Sequence, residues 1–442
     1  MTPDEQFANE LLSNLITRAE TFNQTLARLP QDVTYPSRAR SILIRFLKEL
    51  NAAITQRLHN LRTGPPQPSY TTIEIPAKRL GQVLDLLFLV FEFIVHSEAH
   101  RIPSPLIAPF EAMARRFFPD ALLLVRYLWQ YNFHYDNTGD FFKSWCKYSG
   151  LNLPTPPPDH FVVIGFPTTE RENVLLHCVF AHELGHFLAK AKLLENLIPV
   201  TIDPGLFQAV PAPKKTQLLD VILQWYREIF SDVFGIYLLG PACFLAFSEI
   251  GLQALDIPSA SHPPPHLRLT WMLTLHRRLG YLDQKDQSGA STVAGSLDDK
   301  SKAHLEKWDA FLKANPLAQL DPFYACVINS VGAAMDRIEQ EVKRVVGTNG
   351  FTARRFADEV NHLVERILRL VPPSEADALP NPSFESILNA GWVVRTTRLD
   401  DLYDVLSASK SEEKAEALKI LNGLLFKALE FLIVKTVWAK TT

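Results

Sequence analysis

The chain has 442 residues, with 45 Lys and Arg against 48 Asp and Glu, a formal net charge of −3 and a pI near 6.5. So even a balance excludes bulk electrostatic attraction to nucleic acid or to an anionic membrane surface, and the length allows two or three domains or one large helical body. Apolar residues make up 47%, as in ordinary globular proteins, while 18 Gly against 31 Pro favours helices punctuated by proline turns over β-hairpins.

The N-terminus has no basic segment leading into an apolar one, so no secretory signal is expected. Residues 3–28 carry a helical apolar stripe at Phe7, Leu11, Leu12, Leu15 and Ile16. A second stripe runs from Ile42 through Leu50 towards Leu61, and Thr63 to Ser69 then breaks the chain with Gly and Pro. Residues 76–99 predict a third helix, apolar nearly all round and hence buried. Further helices are expected over 104–129 and 138–148, a loop over 153–159, and a short β-prone run at 160–166 ended by Pro167.

The densest chemistry follows. His182-Glu183-Leu184-Gly185-His186 reads H-E-x-x-H inside an apolar run. On a helix, positions i and i+4 share a face, so the two imidazoles can meet one metal ion, and Glu183 can reach water bound there. Neutral imidazole suits Zn²⁺, and a carboxylate can take a proton from zinc-bound water near neutral pH. Downstream, Glu228 and Asp232 are again i and i+4 in an apolar helix, where carboxylates are costly unless paired or bound to metal. One can be a third ligand, and the other can accept the N–H of a ligand imidazole. Between the two helices lies a proline-rich insert, 198–213, long enough to cover or gate a cleft. His262 then precedes three prolines that stiffen its backbone, before a helix expected to start near Pro265. A preorganised His or Arg beside a metal can stabilise an oxyanion.

H-E-L-G-H, then E-x-x-x-D, then H-P-P-x-x-x-R over about residues 161–268 resembles the gluzincin zinc metallopeptidases, in particular the M48 (Ste24/HtpX/Oma1-like) branch. The resemblance implies one catalytic Zn²⁺ bound by His182, His186 and Glu228, with Glu183 as general base and Asp232 holding a ligand histidine. It implies His262 and Arg268 as stabilisers of the oxyanion or of substrate. It also implies an edge strand at Val163, Ile164 and Gly165 that pairs with extended substrate, since main-chain bonds hold any sequence. Unlike the membrane enzymes of that branch, this chain has no expected membrane span: its longest apolar tracts, 86–95 and 233–247, are too short.

After the core, 284–302 reads as a flexible linker, followed by helices at 302–314, 318–346, 352–371, 397–408 and 411–440, with a polar-proline loop at 372–383. The four cysteines are far apart, form no C-x-x-C pattern and read as buried free thiols, consistent with a cytoplasmic protein.

The expected fold is mainly α (α+β), a zincin-like core with a small β element flanked by helical regions. Its expected divisions are 1–150, a metallopeptidase core at 151–283, a linker at 284–302 and a helical region at 303–442. The expected function is a zinc-dependent metalloendopeptidase acting on a protein or peptide substrate, latent or narrowly specific, with a protein activator or regulator as a further partner. The competing readings are a non-catalytic, zinc-stabilised interaction protein, whose closed site would need Cys178, His177 or His266 as a fourth ligand, and a non-peptidase zinc hydrolase.

Overall fold

The computed structural model describes residues 2–29, 39–65, 68–96, 104–128, 133–151, 160–191, 198–251, 257–285, 291–293, 295–317, 320–374, 382–407 and 414–441. The protein is mainly helical with a small sheet, an α+β protein as expected. Its chain forms two compact units, Met1–Thr169 and Glu170–Thr442. This division differs from the expected one. Residues 151–169 belong with the N-terminal helices, and the C-terminal helices share one unit with the metal motifs. The loop expected at 153–159 lies outside the described residues.

In the first unit, α1 (Pro3–Ala27) starts with a reciprocal cap: the Glu5 amide donates to Thr2 Oγ1 at 3.3 Å and the Thr2 amide to Glu5 Oε2 at 2.7 Å. Its buried positions Ala8, Leu12, Leu15, Ala19, Phe22 and Leu26 recur every three or four residues and face α2 (Ala39–Thr63) and α3 (Tyr70–His96). The buried Asn51 side chain donates to the Ala19 carbonyl at 2.9 Å, tying α2 to α1. α4 (Ser104–Phe117) ends well before the expected limit of 129. Leu122–Leu128 is strand β1, not helix. β2 (His134–Asn137), α5 (Thr138–Ser149) and β3 (Phe161–Pro167) complete the unit.

The sheet order is β1-β3-β2, with β1 parallel and β2 antiparallel to β3. This corrects the edge-strand expectation. Val163 pairs with Leu124 and Asp136, Ile164 with Val125 and Tyr135, and Gly165 with Arg126 and His134. All seven residues of β3 are buried. The strand therefore has no free edge on which substrate could be added along these three residues.

The second unit opens with a 3₁₀ turn, Val174–Cys178, leading into α6 (Val179–Ala191), which carries H-E-L-G-H. The described part of the insert is folded: α7 (Pro204–Ala209), capped by Asp203, packs on the later helix α13 (Pro322–Val346), and α8 (Ala212–Lys215) is joined to its cap by Lys214 Nζ to Asp321 at 2.8 Å. α9 (Leu218–Leu239) runs across α6 and stops at Gly240, and α10 (Pro241–Gly251) begins at the proline that divides the 233–247 apolar tract. α11 (Pro265–Arg278) starts where expected.

In the segment 284–302, read as a flexible linker or loop, most of the described residues lie in regular elements. β4 (Gln284–Lys285) pairs with β5 (Ser291–Val293), Gly295 donates to Asp283 at 2.7 Å, and α12 (Asp299–Ala314) begins on an Asp298 cap. α13 (Pro322–Val346) follows, and α14 (Ala353–Arg355) runs through a π-helical stretch, Phe356–Val360, into α15 (Asn361–Leu368). α16 (Phe384–Thr397), α17 (Leu399–Ser407) and α18 (Lys414–Thr441) end the chain.

α16 was not expected, and it is buried from Phe384 to Val394. Its Asn389 repairs the α9–α10 break. The Ala242 amide donates to Asn389 Oδ1 at 3.0 Å, and Asn389 Nδ2 donates to the Leu239 carbonyl at 2.7 Å. Helix ends leave such groups without intrahelical partners, so a buried break needs a side chain of this kind. Among the described residues no helix is long and apolar enough to cross a membrane.

Candidate metal centre

α6 and α9 approach closely because Gly185 permits it: a Cβ there would lie 2.7 Å from Ser231 Cα. Gly235 of α9 does the same for α10, where a Cβ would lie 2.5 Å from Cys243 Sγ. With no side chain between the backbones, His182 and His186 on α6 face Glu228 and Asp232 on α9. The ligand atoms of His182, His186 and Glu228 all lie within 4.8 Å of one another, the one such group among the described residues.

The geometry calls for a positive charge at the centre. His182 Nε2 and His186 Nε2 face each other at 2.9 Å, and Glu228 Oε1 is 3.2 Å from His186 Nε2. Glu228 Oε2 is buried, 3.5 Å from His182 Nε2 and 3.2 Å from Arg268 Nη1. Two ring nitrogens and a carboxylate so arranged fit a metal ion as shared ligands, and imidazole with carboxylate is a donor set that Zn²⁺ accepts. The electrostatics agree. Burial opposes charge on His182, but the Asp232 and Glu228 carboxylates outweigh it and push the ring up to about 9. Burial prevails at His186, only partly offset by Glu228, and drives it down to about 3. The pair thus favours one proton between two rings. Burial also opposes charge on Glu228, yet His186 and Arg268 hold its carboxyl well below the usual range.

Asp232 lies on the far side of His182, its Oδ1 2.9 Å from His182 Nδ1, and so leaves Nε2 to face the cluster. Arg268 meets Asp232 with both arms of its guanidinium, Nε to Oδ2 at 2.7 Å and Nη2 to Oδ1 at 2.6 Å, and Nη1 is 3.2 Å from Glu228 Oε2. Its charge rests 4.2 Å from the Phe247 ring centroid. Only 5% exposed, Arg268 is spent on the two carboxylates. It ties Asp232 to Glu228 and is nearly closed off from solvent, unlike His262, with which the expectation of an oxyanion- or substrate-stabilising role grouped it. Glu183 is buried beside His182 on α6, near enough for its charge to act on Arg268.

His262 is brought to the cluster and remains open to solvent. Its side chain is 58% exposed, with Nε2 3.5 Å from Glu228 Oε1. The three alternative fourth ligands are not part of the group formed by His182, His186 and Glu228. His177 Nδ1 meets the Asn173 carbonyl at 2.9 Å, and His266 Nε2 meets that of Leu312 at 2.9 Å. Cys178 is a buried free thiol with Trp392 as neighbour, pushed up to about 12 by burial. Val163, Ile164 and Gly165 belong to the first unit.

Reading the sequence missed the glycine contacts, the clamp of Arg268 on Asp232, and Trp225 one turn before Glu228. Only Trp225 left a signal, as a large aromatic three residues before an expected ligand.

Compared with protein-family models, with curated proteins and with solved structures, the chain gives no match.

Proposed function

We propose that the chain is a gluzincin-like, zinc-dependent metalloendopeptidase that hydrolyses peptide bonds of a protein substrate, works in the cytoplasm and is latent or narrowly specific. The observation that carries this reading is the convergence of His182, His186 and Glu228 beside Glu183, with Asp232 on the outer nitrogen of His182. His182, His186 and Glu228 would hold a zinc ion, which would supply Lewis acidity and lower the pKa of water. Glu183 takes the proton as water adds to the peptide carbonyl and returns it to the amine as the C–N bond breaks. His262, exposed at the edge of the cluster, donates to the developing oxyanion. Asp232 and Arg268 keep His182 and Glu228 oriented throughout.

The reading as a structural zinc protein needs a fourth ligand, and His177, Cys178 and His266 are not part of the group formed by His182, His186 and Glu228. The deciding experiment compares wild type with Glu183→Gln. Both should hold about one zinc per chain, and only wild type should generate new protein termini in a proteome-wide comparison. Equal cleavage by the Gln variant would overturn the mechanism.

A further inference from the structure

We propose that Trp225 is a positioning residue for His262, and that the loop it anchors presents His262 as an Nε2–H donor at the edge of the metal cluster. The use made of that donor rests on the peptidase reading; the geometry does not.

Trp225 and Glu228 are three residues apart on α9, so they are neighbours on its surface. The Trp225 ring is fully buried and stacks on Tyr324 at a centroid distance of 5.9 Å and 16° between planes. Its indole N–H donates to the Ser259 carbonyl at 3.0 Å. From Ser259 the chain closes on His262: the Ser259 amide donates to the His262 carbonyl at 3.0 Å, and the His262 amide to Ser259 Oγ at 2.9 Å. Pro263 and Pro264 fix the exit into α11. One hydrogen bond therefore registers this loop against the helix that carries Glu228.

The ring is specified as well. His262 Nδ1 is 2.7 Å from Ser261 Oγ, and Nε2 faces Glu228 Oε1 at 3.5 Å. A carboxylate only accepts, so a proton on Nε2 is favoured, because the other tautomer sets a lone pair against Oε1. The Ser261 hydroxyl, free to rotate, then donates to Nδ1. A fixed N–H aimed at the cluster is what an oxyanion needs.

The test uses full-length protein labelled with ¹⁵N on histidine, with and without added Zn²⁺, and reads imidazole tautomers from long-range ¹⁵N–¹H correlations. The His262 signals are identified by their loss in His262→Gln. Wild type should show the Nε2–H form. Trp225→Phe keeps the stacked ring and loses the donor, and Ser261→Ala loses the hydroxyl; both should give a mixture of tautomers, while Ser261→Thr restores one form. If Trp225 serves stability alone, Trp225→Phe lowers the unfolding midpoint and leaves the tautomer unchanged, which overturns the proposal. So does an Nδ1–H form in wild type, or an Nε2 signal that takes on a metal ligand's shift when Zn²⁺ is added. No substrate enters this readout, so a protein that cleaves nothing counts against the peptidase reading and leaves this inference standing.

Discussion

Gly185 of α6 lies directly on Ser231 of α9, with its missing Cβ 2.7 Å from Ser231 Cα. The middle of H-E-L-G-H is thus a packing position, and the distance between the two ligand-bearing helices is set there. Gly185→Ala gains helix propensity yet forces the backbones apart, and overpacking of this kind costs about 1–3 kcal/mol. The expected outcome is a lower urea midpoint together with weaker zinc retention against a chelator. Unchanged zinc affinity would mean that the ligands tolerate a wider separation.

Asp232 meets the outer nitrogen of His182 and the Arg268 fork and lies outside the group of candidate ligands, so its substitution separates orientation from ligation. Asp232→Asn should weaken zinc binding by roughly 10–100-fold, the usual effect of losing a group that orients a ligand histidine. Glu228→Ala should abolish stoichiometric binding. Competition titration with a chromophoric chelator distinguishes the two.

Removing Arg268 leaves two buried carboxylates without their cation. Arg268→Met should destabilise the protein by about 3–5 kcal/mol, as when one partner of a buried ion pair is lost. Arg268→Lys should recover only part of this, because an ammonium cannot meet Asp232 with two parallel bonds. Equilibrium denaturation of both variants gives the comparison.

Acid should weaken the second unit through two buried histidines. His276 is completely buried; burial pushes it down to about 4, with the Met272 carbonyl at 2.6 Å only partly opposing. His177 is likewise pushed down to about 4 by burial. An unfolded chain takes up these protons near pH 6.5 and the folded one does not. Stability is therefore fully present above about pH 6.5, falls as the pH drops, and levels off near 4, by of the order of 3 kcal/mol per group. Urea midpoints at pH 7.5 and 5.0 should differ accordingly, with a smaller difference in His276→Gln.

The clustering of His182, His186 and Glu228 was legible because an i, i+4 pair shares one helix face, and both pairs lie in helical apolar runs. The strand at 160–166 was legible from its β-branched run, but its place in the sheet was not: whether β3 is central or at an edge depends on β1 and β2. β1 itself was read as helix because Leu122, Leu123 and Leu124 are good helix formers, and pairing with β3 overrode that preference. α16 left no trace for the opposite reason. Buried on every side, it has no polar face and hence no stripe to detect. The role of Arg268 was unreadable because a motif places an arginine near the site without saying which end of it meets solvent.

The bonds of Asn389 to Leu239 and Ala242, and that of Trp392 Nε1 to the Leu175 carbonyl at 3.3 Å, give the last stretch of the chain a say over the first half of the second unit. During synthesis the candidate ligand residues leave the ribosome well before α16 does. Until α16 docks, the Leu175 and Leu239 carbonyls and the Ala242 amide lack the partners it gives them. A chain stopped short of α16 thus carries the candidate ligands without the helix that closes the corner behind them.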